Sequence, residues 1–419
     1  MKKSVILLIC MNTFSAMGYS IFAPLFPVLG KDFSISEALL GWIISTYAIA
    51  NCITTPFIPK LCKKYSRIKL LYFATFFEAT CTLLYSFLQK IPSLTLFLII
   101  VFTLRVINGI FSSFIITLVY SLVCSLSSEE EVKLNLGYIE IGMSLGSSAG
   151  PLFVSIFYKI GGYKLPFLLL GLFLYTSVYL TKILEKEKFD KNEITEEPSV
   201  FKFLNNLDII LICSALALSV VTYTFYFPCL TNHLNEKYHL SVSMASLFFS
   251  VPVVSYLIVV NLINIISKKL GNLGSISAGI LANIIGIYLI YPLPPFPKHI
   301  VFIIIGLALI GAGSLIFIFT LLELSNILKK VCKDYDQNTI NDISSAINNL
   351  FTSLGNLLGP IIGGFLSSHF SFEISCIIIF SIFSIFFILF ILLYNKNNKN
   401  ESEKISNNNK EILQETLAK

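Results

Sequence analysis

Three charged side chains fall where a charge is costly, inside long apolar runs. Glu140 ends the stretch Leu136-Gly-Tyr-Ile-Glu140, about five residues into its run and so about 8 Å below the nearer boundary at 1.5 Å per helical residue. A carboxylate at that depth needs water, a partner or a cation. Two roles suit it: a proton or cation site on a cavity wall, or a helix-start acid reaching back to the interface. Glu78, in Phe76-Phe-Glu-Ala-Thr80, lies about 12 Å deep, where it either carries a proton or pairs with a polar neighbour. Arg105 is the one basic residue deep within a run. Its guanidinium does not shed its charge, so it requires a partner, and near an acid it would favour the ionised form.

Weaker candidates surround these. Asn341, Ser345, Asn348, Asn349, Thr352 and Asn356 recur at steps of three and four, which puts most of them on one helix face. In lipid such a face points inward, as a cavity wall or as interhelical hydrogen bonding. Asn349 is expected on the cavity wall. Tyr19, Tyr223 and Tyr226 are rings able to hold an ammonium group, or packing and interface residues among the 19 tyrosines. His233, His239, His299 and His369 sit at or near the side opposite the termini and would be charged if that side were acidic. The nine cysteines show no CxxC and no pairing with His, which argues against a metal site or a disulfide framework. No HExxH, GxSxG or phosphate-loop pattern occurs, so neither catalysis nor a cofactor is expected.

The elements that carry these residues follow from composition. Of the 419 residues, 55% are hydrophobic and 13% charged, far from the roughly quarter charged share of a soluble domain. With a span needing about 20 apolar residues, twelve helices are expected, near 4–29, 38–58, 70–89, 94–122, 135–158, 165–184, 208–230, 242–266, 274–293, 299–323, 340–367 and 373–394. The run after Lys2-Lys3 is too long, and has too many successors, for a cleaved signal. With both termini in the cytoplasm, 23 of the 30 basic residues fall in tails and cytoplasmic loops and six outside. The net charge of +6 therefore reports topology and gives no reason to invoke nucleic acid. The stretch 185–207 divides the spans into bundles at 1–184 and 208–394, and the Asn/Lys/Glu-rich tail 395–419 is expected to be disordered.

The bundles echo each other. Gly146-Ser-Ser-Ala-Gly150-Pro151 matches Gly355-Asn-Leu-Leu-Gly359-Pro360 at an offset of 209 residues. Lys63-Lys64-Tyr65-Ser66-Arg67 matches Lys268-Lys269-Leu270-Gly271-Asn272 at 205, and Tyr19 with Pro24 matches Tyr223 with Pro228 at 204. Such duplication places a substrate site at the midplane between the halves. The glycines permit close helix approach and the prolines permit a bend, so these helices are expected to slide or rock. Asn349 is the repeat mate of Glu140.

These patterns together resemble the major facilitator superfamily over essentially the whole chain. Its loop motif GxLxDRxGRRxxL aligns with Pro59 to Leu71, keeping the spacing and the basic character at Lys64 and Arg67 but placing Pro59 at the first glycine and Lys63 at the acid. Its RxxQGxG motif aligns with Arg105-Val-Ile-Asn108-Gly109-Ile-Phe111, and GxxxGPxxGG is complete in the helix of Gly355. Gly18 to Pro27, Leu136 to Glu140 and Gly162 to Phe167 are similar to the vesicular amine and polyamine transporter branch. The resemblance implies two six-helix bundles rocking about a central cavity. It also implies proton-coupled antiport of an amine, polyamine or related organic cation into an acidic compartment, by a monomer in the lipid bilayer driven by the proton gradient. The alternatives are an exporter of drug-like or other small solutes at the plasma membrane, and a transport-inactive receptor or scaffold. The buried charges weigh against the last, since an idle protein has no reason to keep them.

Overall fold

The computed structural model describes residues 3–22, 37–128, 130–184, 200–226, 230–240, 248–249, 251–291, 299–332 and 335–393. Pro24, Pro228, most of the 185–207 stretch and the 395–419 tail lie outside the described residues. Among the described residues, twelve helices carry the architecture. They are α1 Lys3–Ser20, α2 Glu37–Thr54, α3 Arg67–Tyr85, α4 Leu94–Leu126, α5 Val132–Gly161 and α6 Lys164–Leu184, then α7 Leu207–Thr224, α8 Val251–Val260, α9 Ile263–Ile290, α10 Ile300–Val331, α11 Gln337–His369 and α12 Phe372–Leu393. A short 3₁₀ turn and the helix Ile58–Lys64 extend α2, and the helix Leu230–Tyr238 follows α7. By length and composition alone α3, α4, α7, α9, α10, α11 and α12 are able to cross a bilayer, with α12 the most apolar at a mean hydropathy of 3.2.

Local chemistry sets the ends. Asn206 caps α7 by accepting from the Asp208 and Ile209 amides, and Asp336 caps α11 by accepting from those of Asn338 and Thr339. Gly162 ends α5 with φ at 62°. Gly271, with φ at 68°, breaks α9, so the expected span ending at 266 runs on to the Lys268-Lys269 pair before the chain turns. Several helices outrun their expected spans: α4 continues to Leu126, α5 starts at Val132 and α10 runs to Val331 through a turn at Ser314–Leu315. Hydropathy marks only the lipid-buried part of a helix, and these extensions are its polar or protein-covered ends.

The first six helices pack largely among themselves, α1 along α5, α2 along α4, and α3 against α4 and α6. Among the rest, α7 lies along α11, and α10 along α8 and α9. The halves meet where α11 touches α2 and α4, and where α5 touches α8. Call the end at which α1 starts the inner end. One large apolar core joins the second half to the inner parts of the first, including Val5 and Leu8 of α1, Ile68 and Leu71 of α3, Leu122 of α4 and Leu136 of α5. The outer parts of the first half, from Met17, Tyr85, Phe97, Val154 and Phe167, form a core of their own. The halves are thus fused at the inner end and packed independently at the outer one.

Candidate functional site

Glu140 lies close to the level at which the shared core stops. Ile139 and Ile141 belong to that core, while Val154, further along α5, belongs to the outer one. The Glu140 side chain is 6% exposed and accepts a hydrogen bond from the Tyr120 hydroxyl of α4. The phenols of Tyr223 on α7 and Tyr256 on α8 lie within its electrostatic reach. One turn earlier, Gly137 packs directly on Val260 of α8, so this face of α5 is the face turned to the second half. Tyr256 is buried, and its hydroxyl has no hydrogen-bond partner among the described residues. The result is a carboxylate bonded to one tyrosine, with two more from the second half within its electrostatic reach. A carboxylate supplies charge, and ring faces supply a quadrupole that attracts cations, so the group suits an organic ammonium.

The polar stripe of α11 divides into two faces. Asn349, expected on the cavity wall, instead knits the halves together. Its Nδ2 donates toward Asn51 Oδ1 at 3.4 Å, Thr55 Oγ1 at 3.2 Å and Thr117 Oγ1 at 3.1 Å. Ser353 adds a bond to Asn51 at 3.0 Å. An amide beside three acceptors on α2, α4 and the turn after α2 is better satisfied there than in a cavity. Asn348, Ser345 and Thr352 share the other face, and each presents an oxygen without a partner among the described residues. These are the stripe members left for a ligand to use.

Glu78 is 2% exposed and accepts from Ser15 Oγ of α1 at 2.6 Å. Arg105 is fully buried, donates from Nε to the Ile43 carbonyl at 3.2 Å, and lies over the rings of Phe22 (4.5 Å), Tyr47 (5.0 Å) and Tyr19 (5.9 Å). The Tyr19 ring lies tilted 4.8 Å from that of Tyr47, and in this state the cation near it is Arg105. Tyr223 stands 6.4 Å from Tyr226, its ring centroid tilted edge-on.

At the inner end Arg67 makes a two-pronged bond to Asp342 of α11, Nε to Oδ1 at 2.7 Å and Nη2 to Oδ2 at 2.8 Å. Ser121 also donates to Asp342, Ser125 donates to Asn338 at 3.0 Å and Asn341 donates to Ser125 at 3.2 Å. Lys133 reaches Ser267. Lys63 and Lys64 stay exposed, Lys64 over the ring of Tyr65 at 5.6 Å. The loop motif that lacks its own acid borrows one from the opposite half.

The glycines of α5 and α11 seat these helices on α1 and α7. A methyl group on Gly146 would strike the Thr13 carbonyl, and one on Gly150 the Ser20 hydroxyl. One on Gly355 would meet Ala217 and Val220, and one on Gly359 the Thr224 hydroxyl. The contacts α1 makes with α5 therefore recur between α7 and α11. Pro151 and Pro360 lie within these helices, but their side chains fall outside the described set.

His233 departs from expectation. It is buried against Phe372, with ring centroids 4.4 Å apart, and burial, aided by the charge of Lys237, pulls its pKa down from 6.5 to about 4. It therefore stays neutral in a mildly acidic compartment. No group of His, Cys, Asp or Glu able to hold a metal occurs among the described residues.

A family model for the Major Facilitator Superfamily matches residues 8–326. The chain belongs to that superfamily. It is an integral, multi-pass membrane protein of a transporter family and not an enzyme. The MFS-type transporter SLC18B1 of Rattus norvegicus is 25% identical over 370 residues, covering 87% of this chain and 80% of the relative. Multidrug resistance protein 2 of Bacillus subtilis (strain 168) is 22% identical over 382 residues, covering 87% and 89%. The bacterial homologue of the iron transporter ferroportin, solved in an outward-facing state, superposes with a TM-score of 0.72 at 14% identity, over 94% of this chain and 100% of that one. The human organic anion transporter MFSD10 gives 0.70 at 13% identity, over 93% and 98%. At such identities the solved structures speak for the fold alone.

Sequence reasoning missed Tyr120, Tyr256, Asp342, Asn51, Thr55 and Thr117. Asp342 carried a readable signal, an acid one residue past Asn341 at the start of an apolar run. The tyrosines and threonines carried none, because such residues are frequent and neutral.

Proposed function

We propose that the protein moves an organic cation, an amine or a polyamine, across a membrane by alternating access in exchange for protons. The observation that carries this is Glu140, a buried carboxylate bonded by Tyr120 of α4, with Tyr223 of α7 and Tyr256 of α8 within its electrostatic reach. The chain works as a monomer of two six-helix units, 1–184 and 208–394, linked by 185–207 and followed by the 395–419 tail. The inner end faces the cytoplasm. The fused inner core, the Arg67–Asp342 pair and the Asn349 network together are the contacts of an outward-facing state. The proton gradient is the energy source and no cofactor takes part. Similarity to a protein named MFS-type transporter SLC18B1 supports the branch resemblance; the amine or polyamine and the acidic vesicle are what that resemblance implies.

A second reading has its own support. Similarity to proteins named for multidrug resistance favours export of drug-like cations at the plasma membrane through the same carboxylate. Purified protein in liposomes with an acidic interior separates the cases. Uptake of labelled spermidine or tyramine that collapses when the proton gradient is dissipated is the expected result. Gradient-driven uptake of drug-like cations alone would favour the second reading, and a folded protein that moves none of them would refute both.

A further inference from the structure

A second polar centre lies inside the first half, separate from Glu140 and sharing only α4 with it. The face of α1 bearing Asn12, Ser15 and Tyr19, at steps of three and four, is turned into the first half toward α3. Ser15 holds one oxygen of Glu78, and the other oxygen, Oε2, is buried and has no hydrogen-bond partner among the described residues. Asn12, 1% exposed, has no hydrogen-bond partner for either end of its amide among the described residues. Bare polar atoms at this depth are costly and are kept where they serve a proton or a water. One hydroxyl is too little to compensate an ionised carboxylate inside a span, whereas an added proton removes the charge outright.

Other ionisable groups frame the centre. Tyr47 of α2, bonded to Ser112 of α4, lies within electrostatic reach of both Glu78 and Arg105. Tyr19 of α1, Arg105 of α4, and Cys81 and Tyr85 of α3 complete the set, while Tyr175 of α6 is occupied with Thr80. Tyr19 is 37% exposed, so the set of groups around Glu78 includes one that is not buried.

Helix α1 joins the second centre to the helix that carries the first. Its Ser15 face holds Glu78, and its Thr13 and Ser20 face receives Gly146 and Gly150 of α5, the helix that carries Glu140. Changing the charge on Glu78 alters what the Ser15 face of α1 must satisfy. A shift of α1 in response must move α5, because the glycine seam leaves no slack between them.

We propose that Glu78 is the coupling-proton site, distinct from the cation site at Glu140, with α1 as the rigid element joining them. This rests on the reading of the protein as a cation–proton antiporter. Glu78 takes its proton from the outer side as a neutral carboxylic acid and gives it up as a carboxylate to the inner side, while the organic cation travels the other way on Glu140.

Two assays in proteoliposomes separate the roles, with labelled tyramine and spermidine as probes. Counterflow, in which unlabelled probe inside exchanges for labelled probe outside with no pH difference, reads the cation site. Accumulation against a pH difference, together with probe-evoked alkalinisation of an entrapped pH dye, reads coupling. Glu78→Gln, which fixes a neutral side chain, is expected to keep counterflow within about two-fold of wild type. It should lose accumulation at least ten-fold and lose the dye response. Glu140→Gln is expected to lose both assays. If Glu78→Gln still accumulates probe, or loses counterflow while its size-exclusion profile matches wild type, the proposal is overturned. Ser15→Ala guards against a Glu78 variant that fails to fold. It should shift the pH of half-maximal accumulation and leave counterflow intact, and an unshifted profile counts against the proposal. A wild type that exchanges neither probe refutes the cation reading and this proposal with it. Wild-type exchange combined with an unaffected Glu78→Gln refutes the present proposal alone.

Discussion

Replacing Asp342 by Asn should open the inner end. Asp342 and the Arg67 side chain are 4% and 11% exposed, and their two bonds at 2.7 and 2.8 Å exist only while α3 and α11 are together. Hydrogen bonds to charged groups contribute about 1.5–3 kcal/mol each, and removing one partner of a buried pair costs about 3–5 kcal/mol. Arg67 regains water when the end opens, and the new amide still accepts one bond, so the closed state loses about 2–3 kcal/mol. At about 1.4 kcal/mol per factor of ten, the open fraction rises ~30- to 150-fold. Cys62, half-buried beside the pair on the helix Ile58–Lys64, is a natural reporter. In inside-out vesicles, with the other eight cysteines replaced by Ser, its labelling by an impermeant maleimide should accelerate at least ten-fold in Asp342→Asn. Arg67→Lys should give a smaller gain, since an ammonium keeps the attraction and loses the fork. An unchanged or slower rate in Asp342→Asn would show that the pair does not hold the end shut.

Three further outcomes follow from the same geometry. Gly150→Leu places a branched side chain where Ser20 already sits, so turnover should fall at least ten-fold while the purified protein remains monodisperse; transport at the wild-type rate would remove the close α1–α5 approach from the mechanism. Tyr256→Phe keeps the ring and deletes the unpartnered hydroxyl, so probe affinity should fall about three- to ten-fold if that hydroxyl meets the ligand, and stability should hold or rise slightly, read as Kd and Tm. For His233, the folded pKa of about 4 lies below the ordinary 6.5, so the unfolded chain takes the proton first as pH falls. Stability is therefore full above pH 6.5 and declines between 6.5 and 4 by up to about 1.4 kcal/mol per unit, a slope that His233→Gln should flatten in thermal unfolding.

Much of the fold was legible because lipid imposes simple rules. Span length and the absence of period-two alternation gave the helices, and the two glycine-proline stretches gave the duplication. Glu140, Glu78 and Arg105 could be found because charges in spans are rare. Their neighbours could not. Asn349 was read by repeat symmetry as the counterpart of Glu140, yet when the halves close at one end, equivalent positions meet different partners, and this amide found Asn51, Thr55 and Thr117. Arg67 and Asp342 lie 275 residues apart, and no local pattern links them. His233 was assigned an ordinary titration because sequence shows neither the ring of Phe372 nor the reach of Lys237.

The central claim is that Glu140 binds an organic cation. Equilibrium binding of labelled tyramine and spermidine to purified protein, wild type against Glu140→Gln, tests it without any assumption about coupling. Saturable binding to the wild type that weakens at least 100-fold in Glu140→Gln, with the Tm held, is the predicted result. Equal affinity in the two proteins would contradict the account.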